Sequence, residues 1–181
     1  MIRKLVFLAG CFTLLLQYVG TAVAGPLTEQ QVERYLNSMP QAQVLSQKHD
    51  DGKRKPIDPQ RPLSSALELM NKQGPAYNDL GKLAAEYGFS STEEWANVGD
   101  RVMNGYLFLK LGMSAEQIEQ AYQQGVSNIK KAPTLSEAQK QKILQGMEKS
   151  HASNRNRRIN AQPDMPALAP YQEALKKAYE Q

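Results

Sequence analysis

The chain has 181 residues, 22 Lys and Arg against 18 Asp and Glu, a formal net charge of +4, and one cysteine. This length suits one domain, and so small an excess of basic residues is not typical of a nucleic-acid-binding protein. A single cysteine excludes an intrachain disulfide and a multi-cysteine metal site, so the fold must depend on its apolar core.

The first 24 residues have the pattern of a secretory signal peptide, which predicts a periplasmic or secreted protein. Arg3 and Lys4 precede an apolar run over residues 5–16, and residues 22–24 (AVA) match a small-x-small cleavage site. The apolar run is short for a membrane span. We therefore expect cleavage before Gly25, with no transmembrane span in the exported chain.

Lipidation of Cys11 is the less favoured alternative. Residues 8–11 (LAGC) resemble a lipobox, but the apolar run continues beyond the cysteine through residue 16. Removing Arg3 and Lys4 with the signal leaves 20 Lys and Arg against 18 Asp and Glu, a net charge of +2. It also removes the cysteine, and with it any thiol nucleophile.

Helical periodicity predicts an all-α fold, a small bundle of five to seven helices. In residues 27–31 (LTEQQ), Thr28 and Gln31 have the spacing of a capping box that opens the first helix. Pro40 is expected to interrupt this helix, with a second short helix continuing to about Lys48. Residues 49–62 (HDDGKRKPIDPQRP) predict a loop.

Residues 88–112 predict the central helix and contain the only tryptophan. Apolar residues recur there 3, 4, 4 and 3 apart, from Trp95 to Leu109, and so share one helical face. Gly99 and Gly105 within the helix indicate close approach of a neighbouring element. The expected core residues of this and the adjacent helices are Leu80, Leu83, Trp95, Val98, Val102, Tyr106 and Tyr122.

Three further capping-box patterns, at residues 91–94, 114–117 and 136–139, predict helix starts. After Ser150 the chain becomes rich in Pro, Asn and Arg, which predicts an extended or disordered connector and a short helix over about residues 171–179. The expected organisation is a signal peptide at 1–24, a helical domain at 25–150, and a connector with a C-terminal helix at 151–181.

A polar face on the central helix is the strongest candidate for catalysis. Glu93, Asn97, Asp100 and Asn104 are spaced 4, 3 and 4 apart, so they line one side of the helix. Paired carboxylates perform acid/base chemistry when their surroundings separate their pKa values. The favoured interpretation is nevertheless a solvated or interhelical polar face, because the pattern does not require burial.

Other candidate sites suit binding better than catalysis. Arg155, Arg157 and Arg158 form a basic cluster that could meet an anionic or acidic partner. Leu175 and Tyr179 lie on one face of the C-terminal helix, which could dock into a groove of this chain or of a partner. Residues 49–51 (HDD) are interpreted as a solvated loop, and no metal site or cofactor is expected.

The helix starts at Leu27-Thr28 with Gln31, and at Leu135-Ser136 with Gln139, resemble the LTxxQ motif of the Spy/CpxP-type periplasmic chaperones. The resemblance covers about ten residues. It implies a small exported all-α protein that binds unfolded clients.

Together these patterns predict an exported, non-enzymatic helical protein that binds an unidentified protein or component of the cell envelope. The alternative is a periplasmic enzyme or small-ligand binder that uses the polar face of the central helix. No catalytic motif, such as a Gly-rich phosphate loop, GxSxG or HExxH, is present. The oligomeric state is left open.

Overall fold

The structure is a computed structural model, and it describes residues 25–52 and 56–180. The described residues form eight α-helices and no strand: α1 (Glu29–Lys48), α2 (Pro62–Glu68), α3 (Pro75–Glu86), α4 (Thr92–Leu111), α5 (Ala115–Lys131), α6 (Glu137–Ala161), α7 (Met165–Leu168) and α8 (Gln172–Tyr179). This confirms the all-α fold. The predicted signal peptide and Cys11 lie outside the described residues.

The prediction of an extended connector after Ser150 is wrong, because α6 continues to Ala161. Two 3-10 turns, Gln162–Asp164 and Ala169–Tyr171, then join α6, α7 and α8 into one continuous helical path, so the described chain has six helical segments separated by loops. A proline lies within the first two positions of each 3-10 turn and of α7. Proline is tolerated there because those N–H groups have no intrahelical partner. The prolines therefore redirect the helical path instead of ending it.

Three of the four predicted capping boxes are confirmed, at Thr28, Ser114 and Ser136. The fourth is only half formed. The Ser91 hydroxyl accepts a hydrogen bond from the Glu94 N–H, but the Glu94 carboxylate accepts from the backbone N–H of Ser90 instead of Ser91. The helix-start positions were thus readable from local sequence, since each cap spans four residues.

The expected interruption at Pro40 is also wrong, since α1 is one helix from Glu29 to Lys48 with the proline inside it. Proline removes one helical hydrogen bond and crowds the preceding turn, which costs about 3 kcal/mol. Contacts on both sides of Pro40 offset this cost: Tyr35 is buried, and Leu45 packs against the core.

The core is organised around α4, as the periodicity predicts. Trp95, Val98, Val102 and Tyr106 are all buried, and Leu83 of α3 is buried with them. Leu80 is only half-buried and packs at the edge of this core. The Trp95 indole N–H donates to the Ser38 hydroxyl at 2.8 Å, which ties α4 to α1.

Both glycines within α4 have a packing reason, as predicted. A side-chain methyl on Gly99 would collide with the ring of Tyr35 and with Leu63. One on Gly105 would collide with a methyl group of Leu168 in α7. Each glycine therefore allows another element to pass close to the backbone of the central helix.

Tyr122 does not belong to the core, contrary to expectation. It lies on α5, which contains no buried residue and packs mainly on α6. Its ring stacks on His151 with the centroids 3.9 Å apart, and His151 Nε2 lies 3.0 Å from a Glu119 carboxylate oxygen. We call α5 and residues 137–150 of α6 the arm, a two-helix hairpin beside the core.

The C-terminal helix is docked on the protein itself, one of the two possibilities that its apolar face allowed. Leu175 is completely buried, and the Tyr179 ring stacks on Tyr106 of α4 with the centroids 5.4 Å apart. Glu180 accepts a hydrogen bond from the Tyr106 hydroxyl and forms an ion pair with Lys110. These contacts close the bundle against α1 and α4.

A buried ionic contact joins the turn after α6 to α4 and to the start of the described chain. The Asp164 carboxylate is fully buried and accepts hydrogen bonds from the Leu27 backbone N–H and the Arg101 guanidinium. Arg101 also donates to the carbonyl of Gly25.

Within the part of the chain that the structure describes, no helix is long and apolar enough to cross a membrane.

Candidate binding groove

The polar face of α4 is largely used for structural contacts. Asp100 is 4% exposed, and its two carboxylate oxygens accept the backbone N–H groups of Leu63 and Ser64 at 2.7 and 3.0 Å. It thereby caps the first turn of α2, whose own N-cap residue Arg61 makes no side-chain cap. Asn104 donates to the carbonyl of Gln60 at 2.8 Å.

The remaining two residues of that face are at the surface. Glu93 is exposed and accepts hydrogen bonds from the Tyr77 hydroxyl and the Lys72 ammonium, which together lower the pKa of its carboxyl group. Asn97 is exposed. The face is therefore divided between a buried cap and surface ion pairing, and the predicted carboxylates Glu93 and Asp100 have different partners.

The basic cluster on α6 does not form one exposed patch. Arg155 is exposed, whereas Arg157 and Arg158 are half-buried. Arg157 donates to the Pro59 carbonyl at 3.4 Å, and Arg158 lies close enough to Glu116 for its charge to lower the pKa of that carboxyl group after the larger effect of the Ser114 hydroxyl. Two of the three arginines thus have partners within the protein.

A groove of about 1050 Å³ lies between α1, α2, α3 and α8, with α4 beneath it. We call this feature the groove. Its lining is mainly apolar and comes from every one of these helices: Leu36, Met39, Pro40, Ala42, Leu45, Leu63, Ala66, Leu67, Met70, Ala76, Leu80, Trp95, Met103, Ala174 and Ala178. The other lining residues are polar: Tyr35, Asn37, Gln43, Ser46, His49, Asp50, Asp51, Lys177 and Tyr179. An apolar lining with polar groups at defined positions is typical of sites for small molecules.

Three methionines, Met39, Met70 and Met103, contribute to the lining. Methionine side chains are flexible and polarisable, so they adapt to apolar molecules of different shapes. Trp95 also lines the groove, although the residue is only 5% exposed. The groove thus combines an adaptable lining with a rigid aromatic base.

Two tyrosines from opposite helices meet in the groove. The hydroxyl groups of Tyr35 on α1 and Tyr179 on α8 lie 3.4 Å apart. Burial raises the pKa of Tyr35 to about 12, and burial together with the neighbouring Tyr35 raises the pKa of Tyr179 further. Both phenols are therefore neutral at physiological pH and serve as hydrogen-bonding groups.

One end of the groove is bordered by a surface ion-pair cluster. Asp79 of α3 contacts Lys48 at 2.8 Å and His49 at 3.0 Å. Hydrogen bonds from these two residues lower the pKa of the Asp79 carboxyl group to about 2. The cluster joins the C-terminal end of α1 to α3, and the His49 ring is thereby placed against the Asp79 carboxylate. Across residues 25–52 and 56–180, no three His, Cys, Asp or Glu side chains are grouped as metal ligands.

Comparison of the chain with protein-family models, curated proteins and solved structures finds no match. The interpretation of the groove consequently depends on its own geometry and chemistry. The LTxxQ-like resemblance stays a prediction, and the structure adds that both of its motifs are capping boxes.

Sequence reasoning predicted Tyr179 as a binding residue but did not find the groove or the role of Tyr35. Tyr35 belongs to the apolar stripe of α1, where its spacing is that of an ordinary core residue. The pairing of Tyr35 with Tyr179 spans 144 positions in the chain. The sequence does contain methionines on or near the predicted helix faces. Whether they line one groove depends on how the helices pack together.

Proposed function

We propose that this protein is an exported, non-enzymatic binding protein of the cell envelope, and that the groove is where its apolar ligand binds. The groove of about 1050 Å³ is the observation that carries this proposal. Its size and mainly apolar lining fit a lipid-sized ligand. Export is supported by the signal-peptide pattern of residues 1–24.

The contacts on α4 favour binding over the enzymatic alternative. Asp100 is committed to capping α2, and Asn104 holds the loop at Gln60. A general acid or base needs access to substrate and a pKa suited to proton transfer. Glu93 is exposed and ion-paired, and its lowered pKa keeps the carboxyl group ionised.

Trp95 provides the test, because it is the only tryptophan and it lines the groove. The apolar dye 1-N-phenylnaphthylamine should bind the purified protein and receive excitation energy from Trp95. Ala174 is an exposed residue of α8 on the groove lining, so Ala174→Phe should narrow the groove and weaken dye binding.

The matched control is Ala138→Phe, which makes the same change at an exposed position of α6 outside the groove. It should bind the dye like the unmodified protein. Absence of dye binding, or equal binding by the Ala174→Phe variant, would contradict the proposal.

A further inference from the structure

The tyrosine pair leaves a hydrogen-bond donor facing an apolar groove. Each phenol hydroxyl carries one hydrogen. One hydroxyl of the pair can donate to the other. Among the residues that the structure describes, the hydrogen of the second hydroxyl then has no acceptor. Tyr35 is 3% exposed, which leaves little access for bulk water at its side of the pair.

The contact between the two hydroxyls is also long. Their separation of 3.4 Å exceeds the usual O–H···O distance of about 2.7–2.8 Å. A weak bond of this kind gives way readily to a better-placed acceptor. Because α1 supplies one hydroxyl and α8 the other, an acceptor placed between them would contact both walls of the groove.

The charged groups around the pair, taken together, disfavour an anionic acceptor. The groove lining contains one lysine, Lys177, against the two carboxylates of Asp50 and Asp51. The buried carboxylate of Asp100 acts on both hydroxyls and adds to the effect of burial in raising the pKa of Tyr35 and of Tyr179. A second carboxylate brought into the groove would be repelled by Asp100 and would also lose its hydration. A cationic ammonium group has no lone pair with which to accept a hydrogen bond.

We propose that the ligand of the groove is an uncharged acyl compound, an apolar chain that carries an ester or amide carbonyl, and that this carbonyl accepts a hydrogen bond from the Tyr35–Tyr179 pair. The proposal rests on the proposed function of the groove and adds the chemical class of the ligand. The apolar lining, including Met39 and Met70, contacts the chain, and the two tyrosines select the head group.

The test compares three probes of similar chain length by displacement of the bound dye at pH 8: methyl octanoate, octanoate and n-decane. The neutral ester should bind more tightly than octanoate, by about tenfold, because it has the carbonyl acceptor without the charge. Octanoate binding as tightly as the ester would overturn the proposal.

The decisive variant removes both hydroxyls, because either one alone could donate to the ligand. Tyr35→Phe with Tyr179→Phe should lower the ester affinity relative to that of n-decane by about three- to tenfold. The control removes two hydroxyls outside the groove, by Tyr87→Phe with Tyr171→Phe, and should leave this ratio unchanged. An unchanged ratio in the Tyr35/Tyr179 variant would overturn the proposal.

A measurement without any variant covers the case in which the double substitution does not fold. The carbonyl stretching frequency of bound, isotope-labelled methyl octanoate should be lower than that of the same ester in an alkane solvent. A frequency equal to that in alkane would overturn the proposal. Binding of all three probes with equal affinity would reject the ligand class and leave the groove function standing, whereas binding of none would contradict both.

Discussion

Trp95 links the core of the protein to the groove. Its indole packs between α1 and α4, its ring centroid lies 5.8 Å from that of Tyr35, and its N–H donates to Ser38. Ser38 in turn donates to the carbonyl of Tyr35. A single side chain thus supports the helix that carries the tyrosine pair, so ligand binding and stability meet at this residue.

Substituting Trp95 by alanine should lower the free energy of unfolding by about 3–5 kcal/mol, because it leaves a cavity and removes the hydrogen bond that the Ser38 hydroxyl accepts. Trp95→Phe should cost less, since it keeps most of the apolar volume. Urea unfolding at neutral pH measures both changes. A loss below about 1 kcal/mol for Trp95→Ala would show that the residue is not part of the core.

Tyr35 should make stability depend on alkaline pH. Its pKa is about 12 in the folded protein and 10.0 as the ordinary value, so the folded state keeps a proton that the unfolded state loses. The stabilisation is fully present below pH 10 and is lost as pH rises from 10 through 12. At full extent two pKa units correspond to about 2–3 kcal/mol.

Comparison of the unmodified protein with Tyr35→Phe isolates this effect, because phenylalanine does not titrate. In urea unfolding between pH 8 and 11.5, the free energy of unfolding should fall more steeply above pH 10 for the unmodified protein than for the Tyr35→Phe variant. An equal pH dependence in the two proteins would show that Tyr35 is not buried as a neutral phenol.

At the scale of elements, glycines in α4 allow neighbouring elements to pack closely against its backbone. Gly105 allows α7 to approach, and its replacement by alanine would force the new methyl group against Leu168. Gly105→Ala should therefore destabilise the protein by about 1–3 kcal/mol, in spite of the better helix propensity of alanine. Thermal unfolding monitored by circular dichroism measures the change.

Gly146 supplies the matched control for this substitution. It also lies inside a helix, α6, but a methyl group there would meet no atom within 4 Å. Gly146→Ala should stabilise the protein by up to about 1 kcal/mol through helix propensity alone. The same sign of effect at both glycines would contradict the close packing of α4 on α7.

The C-terminal helix should contribute to stability through Leu175. This side chain has no exposed surface, and Leu175→Ala should cost about 2–5 kcal/mol. Leu111→Ala is the control, because Leu111 is 53% exposed and its truncation should change stability by less than about 0.5 kcal/mol. Equal effects in urea unfolding would indicate that α8 is not docked.

At the scale of the whole molecule, the arm and the core should differ in local stability. The arm contains α5, which buries no residue, whereas α1 and α4 carry the buried core. Amide hydrogen exchange should therefore be faster in residues 115–150 than in α1, α4 and residues 161–175. The opposite order would mean that the arm is covered in solution or that the C-terminal segment is detached.

Local sequence determined where most helices begin. The capping boxes at Thr28, Ser114 and Ser136 each depend on two residues three positions apart, and the stripe from Trp95 to Tyr106 depends on one helical period. Such features need no knowledge of distant chain, because the contacting atoms lie within one turn of the backbone. The all-α fold and the buried face of α4 followed from them.

Only the tertiary structure decided what those helices hold together. Pro40 lies inside α1, where core contacts on both sides offset its cost. The prolines after Ser150 redirect the helical path, which the contact of Asp164 with Arg101 joins to α4. Asp100 became a cap for α2 and Tyr179 a partner of Tyr35 through contacts 36 or more positions apart. The groove exists between helices and not within any one of them, so a pattern read along the chain could not contain it.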